Sequence, residues 1–310
     1  MKLPVFKAIG MTFAFVAQHW LDLVKIMWLP MAVLFGVMVF FLPGYMQTTL
    51  SLMELGSQPD PEQALAAVSA MLPLMLLIML VSIAVYLIVF AGILKLLIHG
   101  EKPSLPFYIG FGSDELRLLG TGALYVVIFI GLEIAVGLAA GLVGGLGMAV
   151  PGVGPIIAIV AACAALVVFT WVNLRLSLAS PAAVGARAIG IGPSWKATRG
   201  NVWPLLGYWL IWILLLAVVE VILLLIIMPE YFQGMAAIFS ASGSGSPAQV
   251  EEASRAMTEA AMAMYDLSSP LAIVRLVAGF LIGFVILAIS VVSGGVAWRL
   301  ITEESPEKHF

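Results

Sequence analysis

Six stretches of this chain, at about 21–42, 71–97, 117–146, 153–178, 204–228 and 270–299, are long and almost wholly apolar. A helix needs roughly 20 such residues to cross a hydrocarbon core of about 30 Å. Inside that core every backbone polar group must be satisfied by the segment itself or by a closed barrel. The stretches lack the alternation over about ten residues that marks a barrel strand. The expected fold is therefore all-α, a polytopic membrane protein with six transmembrane helices. Composition agrees, because 63% hydrophobic and 10% charged residues leave too little polar surface for a soluble domain of 310 residues.

Charge placement orients the spans. Lys2, Lys7, Lys25, Lys95, Lys102, Arg117, Arg175, Arg187, Lys196, Arg199, Arg299 and Lys308 all fall on one side if six helices alternate in direction. Only Arg255 and Arg275 fall on the other, with Glu54, Asp60, Glu62, Glu230, Glu251, Glu252, Glu259 and Asp266. Positively charged loops stay in the cytoplasm. Both termini are therefore expected there, with 43–70 and 229–269 external. Lys7 interrupts the first apolar stretch and no small-residue cleavage site follows, so no signal cleavage is expected.

A second feature is duplication. Leu42-Pro43-Gly44-Tyr45-Met46-Gln47 returns 186 residues later as Met228-Pro229-Glu230-Tyr231-Phe232-Gln233. At the same offset Pro61 returns as Pro247, Gln63 as Gln249 and Met71 as Met257. One integral membrane domain over 1–310 is expected, built from three parallel hairpin units at 1–99, 103–178 and 183–302. The second unit has a short external turn near Gly147–Gly154. Asp60-Pro61 and Ser246-Pro247 read as N-cap followed by first-turn proline. The first would open a helix of nearly 40 residues running into span two, and the second a helix over about 247–266. Ser240–Ser246 reads as a Gly/Ser linker.

Each unit is expected to begin with a cytoplasmic interfacial segment. Phe6, Ile9, Phe13, Val16 and Trp20 recur at helical spacing, opposite Lys7, Gln18 and His19. Such a helix lies in the membrane surface. Residues 103–119 and 183–204 also carry aromatics, basic residues and glycine breaks before a span. Ser113 followed by Asp114 and Glu115 reads as a helix start, and Pro204 suits the first turn of span five.

Chemistry is sparse. Glu133 and Glu220 each lie about 16 residues into their spans, so roughly 24 Å deep at 1.5 Å per residue. Arg275 lies roughly 8 Å in from the opposite edge. In a core of about 30 Å these three share a depth, and a polar cluster of Glu133, Glu220 and Arg275 is one expectation, with Glu220 paired to Arg275. The alternative is that Arg275 snorkels outward and each Glu faces a crevice or is protonated. Gly137, Gly141 and Gly145, with Gly279 and Gly283, have the four-residue spacing that lets helices approach closely. Packing within the bundle is expected, ahead of homodimerisation. Lys7, Arg187, Lys196 and Arg199 are candidates for lipid-headgroup contact, with plain positive-inside anchoring as the favoured alternative for the stretch Arg187–Trp203. Pro30 and Pro73 would kink their spans.

Other functions find no support. His19, His99 and His309 are dispersed, so no metal is expected. No phosphate-cradling loop is present, and no serine has a histidine in a triad-like arrangement. The lone Cys163 reads as a small apolar residue. No catalytic residue, no cofactor and no nucleic-acid partner is expected.

Arg175-Leu176-Ser177-Leu178-Ala179-Ser180-Pro181, followed by Pro193-Ser194-Trp195-Lys196-Ala197-Thr198-Arg199-Gly200-Asn201-Val202-Trp203, resembles a bacterial pattern. In it an arginine ends a span and a Ser-Trp helix leads into the next. Six-helix YciC-like proteins carry it, as does the membrane domain attached to some glycerophosphodiester phosphodiesterases. Pro106-Phe107-Tyr108 and Asp114-Glu115-Leu116-Arg117 point to alphaproteobacterial members. The resemblance implies an inner-membrane location and no established activity; the phosphodiesterase barrel is absent, so that activity is not carried over. The expected role is non-enzymatic: organising membrane lipids, or binding a membrane-protein partner or a second copy. The competing expectation is a carrier or channel for a small solute or lipid.

Overall fold

The computed structural model describes residues 2–54, 61–148, 154–227, 229–244, 247–263 and 265–302. All regular structure among them is helical: α1 Val5–Gln18, α2 Trp20–Glu54, α3 Pro61–His99, α4 Ser113–Met148, α5 Gly154–Leu176, α6 Ala179–Gly185, α7 Ile191–Ala197, α8 Val202–Ile227, α9 Pro229–Ser244, α10 Pro247–Ala263 and α11 Pro270–Thr302. Six segments of 26–33 residues are long and apolar enough to cross a membrane, five of them within α2, α3, α4, α8 and α11 and one, Ile159–Gly185, running from α5 into α6. These mark a multi-pass membrane protein.

Proline placement explains the boundaries. α3 starts at Pro61, α10 at Pro247 and α11 at Pro270, where the missing N–H falls among groups that have no helical partner anyway. The expected helix starts are thus present, and α3 is 39 residues long. The expected caps Asp60 and Ser246 lie outside the described residues, as does most of the turn at 147–154. Pro43 behaves differently from its counterpart Pro229, since it lies inside α2 whereas Pro229 opens α9.

Two expectations need correction. Ser240–Ser244 is not a linker, because α9 continues through it; Ser240 and Ser242 bond back to the carbonyls of Ala236 and Phe239, so the hydroxyls are satisfied within the helix. At their described positions the glycine stripes seat no neighbouring helix, and Gly279 and Gly283 line a cavity instead. A Cβ at Gly137, Gly141, Gly279 or Gly283 would meet nothing within 4 Å.

The chain divides into two compact units. The first comprises Met1–Ile26, Leu87–Leu210 and Ala288–Phe310. Its core gathers Leu23 and Ile26 of α2, Ile93, Leu94 and Leu97 of α3, Leu118 of α4, Ala182–Val184 of α6, Leu205 and Tyr208 of α8, and Val292 and Val296 of α11. Specific polar bonds fix it. The Tyr208 hydroxyl donates to the Ser293 carbonyl at 2.9 Å, and Arg299, 1% exposed, donates through Nη1 to the Leu97 carbonyl at 3.0 Å. Gly190 lets its turn rest on α6, where a Cβ would overlap the Ala179 carbonyl oxygen.

The second unit comprises Met27–Tyr86 and Ile211–Leu287. Here α9 packs along α10, with Gly234 close against Met257. Phe35 of α2 meets Phe280 of α11 at 5.1 Å. Beside them lies an apolar cavity of about 270 Å³ lined by Leu34, Met38, Tyr265 and Gly283 among others.

Candidate functional site

Twelve of the fourteen Lys and Arg residues belong to the first unit, and nine of the seventeen Asp and Glu residues to the second. The site is sought where the cations collect.

α1 presents three faces there. Ala8, Thr12 and Phe15 are buried in the unit. Phe6 and Phe13 stay exposed at 83% and 45%, on the face the sequence marks as apolar, with Lys7 and Gln18 exposed on the third. Phe15, which spoils a two-faced reading of the helix, is therefore part of the protein core. Leu3 ties the approach to α1 by donating its N–H to Asn201 Oδ1 at 2.9 Å.

The unit's largest polar network joins α3, the 100–112 connection and the start of α4. Glu115 is wholly buried. Its Oε1 accepts from Lys95 Nζ at 2.9 Å and from the Tyr108 hydroxyl at 3.0 Å, and its Oε2 accepts the Gly112 N–H at 2.8 Å. Lys95 also donates to the Tyr108 hydroxyl at 3.2 Å and lies 3.6 Å from Asp114, which pairs with Arg117. The Glu115 reach-back makes Gly112 the capping position, one residue before the expected Ser113. The Tyr108 N–H donates to the Lys25 carbonyl at 3.1 Å. Burial pushes the Tyr108 phenol above its ordinary range and the Glu115 charge adds to this, while Lys95 opposes it. Every charge here is answered by another side chain, so the network's chemistry is spent on holding three segments together. Its signal in the sequence is a lysine inside an apolar span and an acid three residues after a glycine.

A second group is answered differently. Arg175, at the end of α5, is 6% exposed. Its guanidinium carbon sits 4.6 Å from the Trp195 ring centroid and 6.0 Å from that of Trp171. The two indoles meet edge to face at 5.2 Å. Ser194 and Thr198 of the α7 segment donate to the Arg175 carbonyl, at 2.9 and 3.2 Å, which docks Trp195 over the guanidinium. No described carboxylate pairs with it, and its Nε has no hydrogen-bond partner. Arg199 adds a second positive charge nearby.

The headgroup candidates Lys7, Arg187, Lys196 and Arg199 are all exposed and all in the first unit. Arg187 adopts the left-handed conformation with φ 50° in the turn after α6. The same unit exposes aromatic and aliphatic side chains: Trp20 57%, Phe111 70%, Ile189 51% and Trp203 81%.

Glu133 and Glu220 lie on exposed faces of α4 and α8, and neither makes an ion pair or hydrogen bond with a described residue. Glu220, exposed on α8, makes no ion pair with Arg275 among the described contacts. Arg275 is half-buried near the start of α11. Among the described residues no group of His, Cys, Asp and Glu is arranged to hold a metal. No family model, curated protein or solved structure matches the chain.

Proposed function

We propose that this is a non-enzymatic, multi-pass protein of a bacterial inner membrane, with the basic unit at the cytoplasmic headgroup level. There it organises anionic lipids or a membrane-protein partner. The observation that carries this reading is the segregation of twelve of fourteen cations into one compact unit that also exposes Phe6, Trp20, Phe111 and Trp203. Cations favour the cytoplasmic side and aromatic rings favour the membrane–water boundary. The resemblance of Arg175–Trp203 to six-helix inner-membrane proteins agrees with it. So does the inward use of the Lys95–Glu115–Tyr108 network, which leaves surface cations for lipid.

Cysteine accessibility tests the orientation. In a Cys163→Ala background, cysteines at Ser57 and Ser244 should label from outside intact cells and one at Ser305 should not. The reverse pattern overturns the assignment. Co-purification from native membranes, with lipids and proteins identified by mass spectrometry, should return anionic lipid or a reproducible partner.

A carrier is the second reading, favoured by one observation. Glu133 and Glu220 are carboxylates within spans and without a described partner. Such residues mark proton or cation pathways in many membrane proteins. Flux into proteoliposomes that disappears in Glu133→Gln or Glu220→Gln would establish it over the first.

A further inference from the structure

Arg175 is more than nine-tenths buried as a residue and has no counterion among the described residues, which is costly for a charged group, and the usual remedies are absent. It cannot neutralise by losing its proton, since arginine stays charged in proteins. The surrounding indoles offer cation–π attraction, which is weaker than an ion pair. Arg199 adds a like charge in its vicinity. The local design orients the group with care nonetheless. The Ser194 and Thr198 hydroxyls grip the Arg175 main chain, and Trp195 covers one face of the guanidinium at 4.6 Å. A fixed, planar fork with an unused Nε donor, beside a second arginine, is suited to an anion with several acceptor oxygens.

We propose that Arg175 and Arg199 hold a phosphate group, with Trp171 and Trp195 as its apolar wall. This rests on the reading above in one respect, that the basic unit lies at headgroup level. The phosphate of an anionic phospholipid then reaches the pair from the bilayer while its acyl chains run along the exposed apolar surface of α5, which includes Val167 and Val168. The same chemistry would accept a soluble phosphate from the water side. Arg175 is distinct from the four exposed cations, because the residue is largely buried and its geometry is fixed before the ligand arrives. That is preorganisation rather than diffuse attraction, so the site should discriminate headgroups and not merely charge.

The test uses the full chain purified in a mild non-ionic detergent and native mass spectrometry. Dioleoyl-phosphatidylglycerol and dioleoyl-phosphatidylcholine are added in equal amounts, with and without inorganic phosphate. Wild type should retain the phosphatidylglycerol about tenfold better than the phosphatidylcholine, as expected for a charge-assisted, bidentate contact. Arg175→Gln should bring the ratio near one, and Arg175→Lys should recover only part of it. Arg199→Gln, an exposed change that leaves the fold intact, should reduce the ratio several-fold. Lys102→Gln, an exposed cation elsewhere in the unit, should leave it unchanged. Circular dichroism verifies folding of each variant. Displacement of the lipid by inorganic phosphate in wild type, and not in Arg175→Gln, would support the same site with a soluble phosphate as its source. Equal ratios in wild type, Arg175→Gln and Arg199→Gln, or an equal loss in Lys102→Gln, would overturn the proposal. Because the readout is taken in detergent, it does not depend on orientation. A reversed labelling pattern would defeat the topology and leave the phosphate site standing.

Discussion

Glu115 is the buried side chain that joins α3, the 100–112 connection and α4, so its removal gives the sharpest test. Glu115→Ala deletes a wholly buried carboxylate and with it the bonds to Lys95, Tyr108 and Gly112. Breaking a buried ion pair by removing one partner costs about 3–5 kcal/mol. Lys95 keeps Asp114 at 3.6 Å and the Tyr108 hydroxyl at 3.2 Å, which moves the charge loss to the low end. The Gly112 N–H loses its cap, worth about 1 kcal/mol. A net loss of about 3–4 kcal/mol follows. At about 2–4 °C per kcal/mol, this lowers the unfolding midpoint by roughly 6–16 °C. The assay is circular dichroism on heating in detergent, repeated in nanodiscs. Lys95→Met with Glu115→Leu should cost clearly less than the two single changes together, since neither then strands a buried charge. A midpoint within about 2 °C of wild type in Glu115→Ala, or additivity within about 0.5 kcal/mol, would refute the reasoning.

Three further outcomes are expected. Gly190→Ala should destabilise the basic unit by at least about 2–3 kcal/mol in the same thermal assay, because its Cβ overlaps the Ala179 carbonyl and lies 2.9 Å from the Ala183 nitrogen, both of them main chain; expression at the wild-type midpoint would show that α6 and α7 part freely. Tyr108 and Tyr265 are both raised by burial, so they should titrate above the ordinary value of about 10 in ultraviolet absorbance, with one late group missing from Tyr108→Phe. The sign follows: the stability that these protonated phenols contribute is complete below that ordinary value and is lost as pH rises through the raised one, so a normal titration of both would sink the idea. Finally, Glu220→Leu should leave thermal stability in nanodiscs unchanged or raise it, since a lone carboxylate within a span is a cost and not a contact; a drop in midpoint of more than about 5 °C, on the order of 1–2 kcal/mol, would reveal a partner.

The sequence by itself determined the helical spans, because their length and apolarity leave hydrocarbon as the solvent and helices as the structure. It also placed the starts of α3 and α10 at Pro61 and Pro247, since proline at a first turn is a local effect. The separation of charge was legible too, and the compact units divide the cations along the same lines. Local rules failed where the neighbours decide. Ser240–Ser244 reads as linker, but its hydroxyls bond within the helix and the helix continues. The Gly137 and Gly141 stripe reads as packing, yet which helix approaches a stripe is a question of three-dimensional placement, and none does within 4 Å. Glu133, Glu220 and Arg275 were singled out by depth alone, and depth says nothing of the direction in which a side chain leaves its helix. Lys95 and Glu115 are twenty positions apart on two helices and bond directly because the 100–112 connection folds back, with the Tyr108 hydroxyl bonding to both. Arg175 looked like an ordinary flanking cation. Only the docking of α7, through Ser194 and Thr198, places Trp195 over it and turns a solvated charge into a buried one.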